Sequence, residues 1–396
     1  MIQVIILKVR DPEAENAMFT TAAGFIAEML CIVSLHLFGK FDDEVKVMTR
    51  RLLTKDDAIK AVYGGCILGG GGGGWIQDGL QKTESAFEVG STSLITIEEL
   101  QDDDYVVCVA LVGAPSAKEQ FVDSQQLVET VLRMQKEFPH PIKAIMTNEN
   151  GASTTINGWL QAAGADLPVL DAPCNGRAHP TGSMGSLNLS EVDGYQSLQS
   201  YSGGKAVKKV EGFVSATLDK SSNAVRFMSV EAGGMVAVCR NPVTVGYVKK
   251  HAAVGGITQA IELGEAFLSV PEGPGRIEAV ASFLKGRVIH SGKVSTFNMN
   301  QTGGFDVGVV RIDDLELTFW NEYMTAEMNG VRKGTFPDLI MTFDAETGLP
   351  LVSAEIQEGQ SITVLSVPKE NLKLSSTMFN EKLLKTVEPI IQKNIL

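Results

Sequence analysis

The chain is poor in the features that mark several common protein classes. Its five cysteines, Cys31, Cys66, Cys108, Cys174 and Cys239, form no C-x-x-C pair and no zinc-like spacing, which excludes a disulfide-built scaffold and a closed structural zinc site. Four of them lie in apolar runs (L-C-I, G-C-I-L, V-C-V, V-C-R), the setting of a small buried hydrophobe. That usage fits a reducing, cytoplasmic location. Positive charge is also scarce: 34 Lys and Arg against 47 Asp and Glu leave a net charge of −13. A sequence-independent nucleic-acid surface needs clustered cations, so no nucleic-acid partner is expected. The apolar stretch Gly24–Phe38 has only 15 residues and contains Glu28, short of the about 20 that a membrane helix requires. It also lacks a basic leader and a small-residue cleavage site, so no membrane partner is expected. No G-K-[ST] motif follows the glycine run, which excludes a P-loop, and no solenoid-type repeat is found.

What is present is ordinary for a globular protein: 44% hydrophobic and 20% charged residues over 396 positions. That length suggests two domains. Leu94–Ile97 and Tyr105–Val112 read as buried strands, and Lys118–Phe138 as an amphipathic helix with Phe121, Val122, Leu127, Val128, Val131, Leu132 and Met134 at helical spacing. Strand–helix alternation from 94 to 171 predicts a parallel sheet covered by helices, a three-layer α/β/α domain. Val210–Leu218 and Val225–Val230 read as a hairpin, with Glu231-Ala232-Gly233-Gly234 at a strand–strand turn. Pro242–Ala253 and Ile257–Leu268 read as helices. From Gly286 the pattern changes to short β-branched and aromatic strands, Gly286–Met299, Phe305–Ile312, Leu315–Trp320, Tyr323–Met328, Asp338–Phe343 and Ser361–Val367, with turns at Gly303-Gly304, Asn329-Gly330 and Thr347-Gly348. This predicts a smaller C-terminal β-barrel-like domain, closed by a helix over Met378–Gln392. The expected divisions are a peripheral extension over 1–47, an α/β domain over 48–284, the β-barrel-like domain over 285–375 and the C-terminal helix over 376–396.

Residues 145–185 organise the chain. An apolar run ending at Ile145-Met146 empties into Asn148-Glu149-Asn150-Gly151, where Ser153 or Thr154 is placed to cap a helix through Trp159 and Leu160 that stops at Gly164. A second strand, Leu167–Leu170, delivers Asp171 onto a loop with Pro173, Cys174, Asn175, Gly176, Arg177, His179, Pro180 and Thr181. Two strand ends thus project Glu149 and Asp171 toward one edge, and open α/β sheets bind ligands at the carboxyl ends of their strands. Any one of these residues has an equal reading as a turn cap or an ion-pair partner. Taken together, Cys, Arg and His within six positions exceed what a connector needs.

Thr54-Lys55-Asp56-Asp57 forms a capping box for a helix through Ala58, Val62 and Ile67 toward Leu68. Gly69–Gly74, six consecutive glycines, follow. A helix precedes the run where the dinucleotide fingerprint needs a strand. Two readings stand: a flexible linker, or a nest of backbone N–H groups opening a helix at Trp75–Leu80. The apolar segments on both sides favour the nest.

The pattern E-N-G…N…D-A-P-C-N-G-R-A-H-P-T-G, with G-G-C-I-L before the glycine run and E-A-G-G-M at 231–235, resembles the S-methyl thiohydantoin desulfurase family, formerly a domain of unknown function, found near hydantoin-utilisation enzymes. The resemblance runs from Thr49 to the C-terminus. It implies hydrolytic cleavage of a C–S bond on an S-methyl thiohydantoin-like ring, giving a hydantoin and a thiol. Such chemistry needs a base for water, donors for the ring carbonyl and a proton for the departing sulfur. Asp171 is the first choice for base or metal ligand, with Glu149 sharing the acid–base work. Arg177 is suited to a carbonyl or carboxylate, and equally to a salt bridge with Asp171 or Glu149. Asn150 and Asn175 are carbonyl donors or turn holders. Cys174 with His179 as its base offers covalent attack as an alternative to water. Asp171, Cys174 and His179 as ligands of a divalent metal such as zinc are a third option; no cofactor is required by the sequence. By resemblance, Gly71, Gly72, Gly73 and Glu231 are expected beside the same cleft as substrate-binding groups. The partner expected is a small cyclic amide, and the default assembly is a homo-oligomer. Alternatives are a hydrolase or accessory subunit for another hydantoin or cyclic imide, and a non-catalytic small-ligand or nucleotide-binding protein.

Overall fold

A strand covered on both faces needs apolar side chains at consecutive positions, and Tyr105–Gly113 supplies them. Val107 and Val109 enter one core, while Val106, Cys108 and Ala110 enter cores on the opposite face. In the structure, a computed structural model, residues 50–113, 117–302 and 305–396 are described. The expected 1–47 extension, the loop after Gly113 and the Gly303-Gly304 turn lie outside the described residues.

Two eight-stranded sheets organise the described residues. The first contains β1 (Arg51–Leu52), β2 (Ser93–Ile95), β3 (Tyr105–Gly113), β4 (Ile142–Thr147), β5 (Val169–Leu170), β6 (Ser197–Gly203), β7 (Val210–Ala216) and β8 (Met235–Thr244). Their order is β1-β2-β5-β4-β3-β8-β6-β7. The pairs β2–β5, β5–β4 and β4–β3 are parallel, as the alternation from 94 to 171 predicts, whereas β8, β6 and β7 extend the sheet antiparallel. One face is covered by α1 (Lys55–Gly69), α2 (Ile76–Val89), α3 (Ser124–Glu137) and α4 (Trp159–Ala165). The other is covered by α5 (Leu218–Glu231), α6 (Val245–His251) and the loop carrying Ala172, Cys174, Leu187 and Leu189.

The second sheet holds β9 (Arg287–Thr302), β10 (Phe305–Ile312), β11 (Leu315–Trp320), β12 (Glu322–Met328), β13 (Val331–Thr335), β14 (Leu339–Asp344), β15 (Pro350–Leu351) and β16 (Ser361–Val367). Its order, β13-β12-β11-β10-β9-β16-β14-β15, leaves β13 and β15 as edges, so the expected barrel does not close. The reason lies in β9, whose 16 residues pair with β16 along the first half and with β10 along the second. The sheet folds over about β9 and buries Val294, Val310, Phe319, Ile362 and Val364. The apolar faces are covered without β13 and β15 having to pair.

Other expectations are also corrected. Residues 225–230 belong to α5, because Ser221, Val225 and Ser229 recur at helical spacing on its buried side; Glu231 therefore ends a helix and is not in a strand–strand turn. The amphipathic helix begins after Asp123, whose carboxylate accepts the Gln126 N–H. Residues 151–158 form successive turns, α4 starts only at Trp159, and Asp166 rather than Gly164 ends it. Pro242 lies in β8, and the C-terminal segment is broken into Glu381–Lys385 and Glu388–Ile391 instead of one helix.

α1 joins the two halves. Thr54 and Asp57 cap it reciprocally, as its sequence predicts. Ala58, Ala61 and Val62 face the first sheet's core, and Cys66, Ile67 and Leu68 share a core with Leu339, Met341, Leu365 and Val367 of the second. It packs on α7 (Gly256–Leu268) at backbone contact: a Cβ on Gly64 would collide with the Ala260 carbonyl, and one on Gly264 with the Lys60 carbonyl. Gly64→Ala is therefore expected to destabilise the fold by about 1–3 kcal/mol, read as a lower melting temperature. Gly182→Ala, where a Cβ meets nothing, is the control. Equal melting temperatures for the two variants would contradict this packing.

Candidate active site

The glycine run leaves α1 at the junction of the two sheets, and its carbonyls are spent on tertiary contacts. Gly70 O accepts the Tyr323 N–H at 2.8 Å, Gly71 O the Ser353 N–H at 2.9 Å and Gly73 O the Ser153 N–H at 3.0 Å. A Cβ on Gly72 would run into the Glu322 carboxyl, and one on Gly73 into the Gly151 backbone, so a side chain and a second backbone approach as closely as the absence of side chains permits. Gly71–Gly74 form one wall of a cavity of about 1110 Å³. Its lining includes Lys82 from α2, Asn148 and Glu149 after β4, Ser153 and Asn157, His179, and Glu322 at the start of β12.

Glu149 and His179 meet in this wall. Nε2 of His179 lies 3.1 Å from Oε2 of Glu149, with both side chains nearly covered. Burial pushes the Glu149 carboxyl up to about 8, against the His179 backbone N–H and the Thr154 hydroxyl, which favour the anion. Burial likewise pushes the His179 imidazole down to about 4, with Arg240 and Arg177 adding to the effect and the Thr181 and Asn148 backbones opposing it. Both shifts favour the uncharged form. At neutral pH the pair is a carboxylic acid beside a neutral imidazole.

Lys82 approaches from the other side. Its ammonium end is enclosed and donates to Ser153 O at 3.1 Å and Asn157 Oδ1 at 3.0 Å, with Ser153 Oγ at 3.5 Å. Burial lowers it to about 8, opposed by Asp78 and Glu149. Glu322 is buried with Oε2 lacking a hydrogen-bond partner. Burial first and the Glu149 carboxyl second drive its pKa well up, while Arg177 pulls it down.

The remaining predicted residues are placed elsewhere. Asp171 ends β5 next to β4, but its carboxylate turns away to α7, accepting the N–H groups of Ile257 at 2.8 Å and Thr258 at 3.0 Å and the Thr258 hydroxyl at 2.5 Å. It caps a helix and does not line the cavity. Arg177 pairs with neither Asp171 nor Glu149. Its Nη1 donates to the carbonyls of Pro337 at 3.0 Å and Asp338 at 2.6 Å, and its guanidinium stacks over Phe336, tying the 171–181 loop to the second sheet. Asn150 is likewise internal, donating to Gly256 O at 2.8 Å; Asn175 is fully buried and offers its backbone carbonyl to Asn150. Cys174 packs in the core with Cys108 and Met146. A hydrogen bond to Cys108 and burial hold its thiol well above its ordinary pKa, which does not suit a nucleophile. Glu231 is exposed and lies off the cavity lining. With Asp171, Cys174 and His179 each engaged by different neighbours, they do not fit a shared metal ion, and among the described residues no three His, Cys, Asp or Glu side chains are placed to hold one.

Lys82 and Glu322 were not foreseen. Lys82 lies beyond the expected end of its helix at Leu80, and its spacing from Asp78 reads as an ordinary exposed pair. Glu322 precedes a strand expected to start at Tyr323. Only the fold, bringing β12 against Gly72, gives it a place in the cavity.

The fold and site define a two-sheet α/β protein with an enclosed carboxyl, imidazole and amine at the seam between the sheets. The chain belongs to the S-Me-THD-like family: the family's N-terminal domain matches residues 56–209 and its C-terminal domain residues 217–379. No curated protein matches it. Among solved structures, a crystal structure of a protein from Chromobacterium violaceum superposes with a TM-score of 0.65 at 18% identity, covering 85% of this chain and 96% of the other. That likeness supports the fold alone. Among the described residues no helix is long and apolar enough to cross a membrane.

A buried acid with a raised pKa costs stability as pH climbs, because the unfolded carboxyl ionises freely near 4.5 while the folded one resists until about 8. Glu149→Gln removes that cost. Its melting temperature relative to the wild type is expected to rise from pH 5 toward pH 8 and then level off. A difference independent of pH would contradict the shift.

Proposed function

We propose that the protein is a hydrolytic desulfurase acting on an S-methyl thiohydantoin-like ring, releasing a hydantoin and methanethiol. The observation that carries the reading is the buried Glu149–His179 contact in the wall of a large cavity, in a chain of this family. Overall, water adds to the ring carbon that bears the thioether, and the C–S bond breaks with its electron pair on sulfur. The departing thiolate needs a proton, and Glu149 holds one at neutral pH. The neutral imidazole of His179 stands against the carboxyl, its Nε2 3.1 Å from Glu149 Oε2 with no hydrogen-bond partner of its own. Asn148 Oδ1 is occupied by Asn157 Nδ2 at 3.0 Å, which leaves the Asn148 amino group as a donor for a ring carbonyl. A volume of about 1110 Å³ far exceeds a bare five-membered ring and suits a substituent on it.

The test is thiol release from S-methyl thiohydantoins with different ring substituents, alongside hydantoins and other cyclic imides. The expected result is methanethiol from the thiohydantoins, with kcat/KM falling about 10²–10⁴-fold in Glu149→Gln. Asp171→Asn, away from the cavity, is expected to lower the melting temperature and leave kcat near wild type. Hydrolysis of another cyclic imide without thiol release would contradict the substrate, and an Asp171→Asn enzyme that is stable but inactive would contradict the assignment of the acid.

A further inference from the structure

Lys82 Nζ has three neighbours, and they are not equivalent. Ser153 O is a backbone carbonyl and can only accept. Asn157 Oδ1 also accepts, its orientation set by Asn157 Nδ2 donating to Asn148 Oδ1 at 3.0 Å. The third, Ser153 Oγ at 3.5 Å, can accept or donate. An uncharged amine has two N–H bonds and one lone pair. It satisfies both fixed acceptors and still has its lone pair for the Ser153 hydroxyl proton, so losing its charge costs Lys82 no hydrogen bond.

Ser153 is held in turn. Its N–H is bound to Gly73 O at 3.0 Å, its Oγ lies against Gly74 where a Cβ would collide, and the turn it occupies is closed by Thr155 Oγ1 bonding both the N–H and the carbonyl of Gly151. Ser153, Lys82 and Glu149 all line the one cavity. A lysine that only tied α2 to this turn would not need the cavity or the hydroxyl.

We propose that Ser153 is the nucleophile of this cavity and Lys82 the base that activates it, so that the protein reacts covalently at amidine- or acyl-type carbon. The lowered pKa of Lys82, set by burial, which outweighs the opposing charge of Asp78, is in keeping with that role. For the ring chemistry, which rests on the desulfurase reading, the steps balance as follows. As the Ser153 Oγ–C bond forms, the hydroxyl proton passes to Lys82. The C–S bond breaks, and the sulfur takes the Glu149 proton and leaves as methanethiol. Water then adds to the serine-bound carbon, giving one proton to the Glu149 carboxylate and the other to the ring nitrogen. The C–Oγ bond breaks, Lys82 returns its proton to Oγ, and the hydantoin carbonyl remains.

The test uses the full-length protein and phenylmethylsulfonyl fluoride, with intact-mass and peptide-mapping readouts. The expected result is one adduct, on Ser153, absent in Ser153→Ala and formed about 10²-fold more slowly in Lys82→Arg. No adduct on the wild type, an adduct on another serine, or an undiminished rate in a folded Lys82→Arg protein would overturn the proposal. Mapping of the wild type against Ser153→Ala decides the point even if the lysine variant does not fold. Because labelling needs no thiohydantoin, the two readings separate. Labelled Ser153 without thiol release leaves the pair standing and removes the substrate, whereas wild-type thiol release by Ser153→Ala removes the pair and leaves direct attack by water.

Discussion

The structure depends on backbone contact at the glycine run. Three successive anchor points, Gly70 to Tyr323, Gly71 to Ser353 and Gly73 to Ser153, join the end of α1 to the second sheet and to the turn after β4. Side chains there would hold these backbones apart. Without the close approach of Gly72 to Glu322 and Gly73 to Gly151, the wall that Glu149, His179 and Lys82 share with the second sheet would open. Burial, the largest cause of every pKa shift in the site, would be relieved with it. The glycines serve the site through their carbonyls and their lack of Cβ atoms.

That seam also explains why the loop over 171–181 is dense in functional-looking residues of which only His179 reaches the cavity. A long loop buried between two sheets must satisfy its polar groups internally. Asp171 does so by capping α7, Arg177 in part by bonding the Pro337 and Asp338 carbonyls just before β14, and Asn150 by donating to Gly256 O, whereas the Asn175 side-chain amide has no hydrogen-bond partner. Asp171, Arg177 and Asn150 are polar scaffold whose removal would leave a partner unsatisfied in the interior. The acid, imidazole and amine of the cavity face the opposite situation: they are covered but offered to a ligand.

Much of this was legible in the sequence. The parallel strands β2, β4 and β5, the capping box of α1 and six of the eight strands of the second sheet follow from apolar periodicity and turn residues. The importance of 145–185 and of the glycine run was legible from composition. The division of labour inside the loop was not. Neighbouring parallel strands place Glu149 and Asp171 at the same sheet edge, but whether a carboxylate turns to a cavity or to a helix N-terminus depends on where α7 begins, 85 residues further on. Residues 225–230 misled for a related reason. Their β-branched content suits a strand, and packing of Val225 against Ala110, Val236 and Val238 overrides it. Lys82 and Glu322 carry no local signal, since both acquire their surroundings from distant chain.

The account rests on a carboxyl group that keeps its proton at neutral pH because it is buried against an uncharged imidazole. Infrared difference spectroscopy of the wild type against Glu149→Gln across pH 5–10 reads this directly. The account predicts a protonated-carboxyl carbonyl band at pH 7 that is missing in the variant and disappears from the wild type with a midpoint near 8. A carboxylate band already complete at pH 6, with His179 carrying the positive charge, would contradict it.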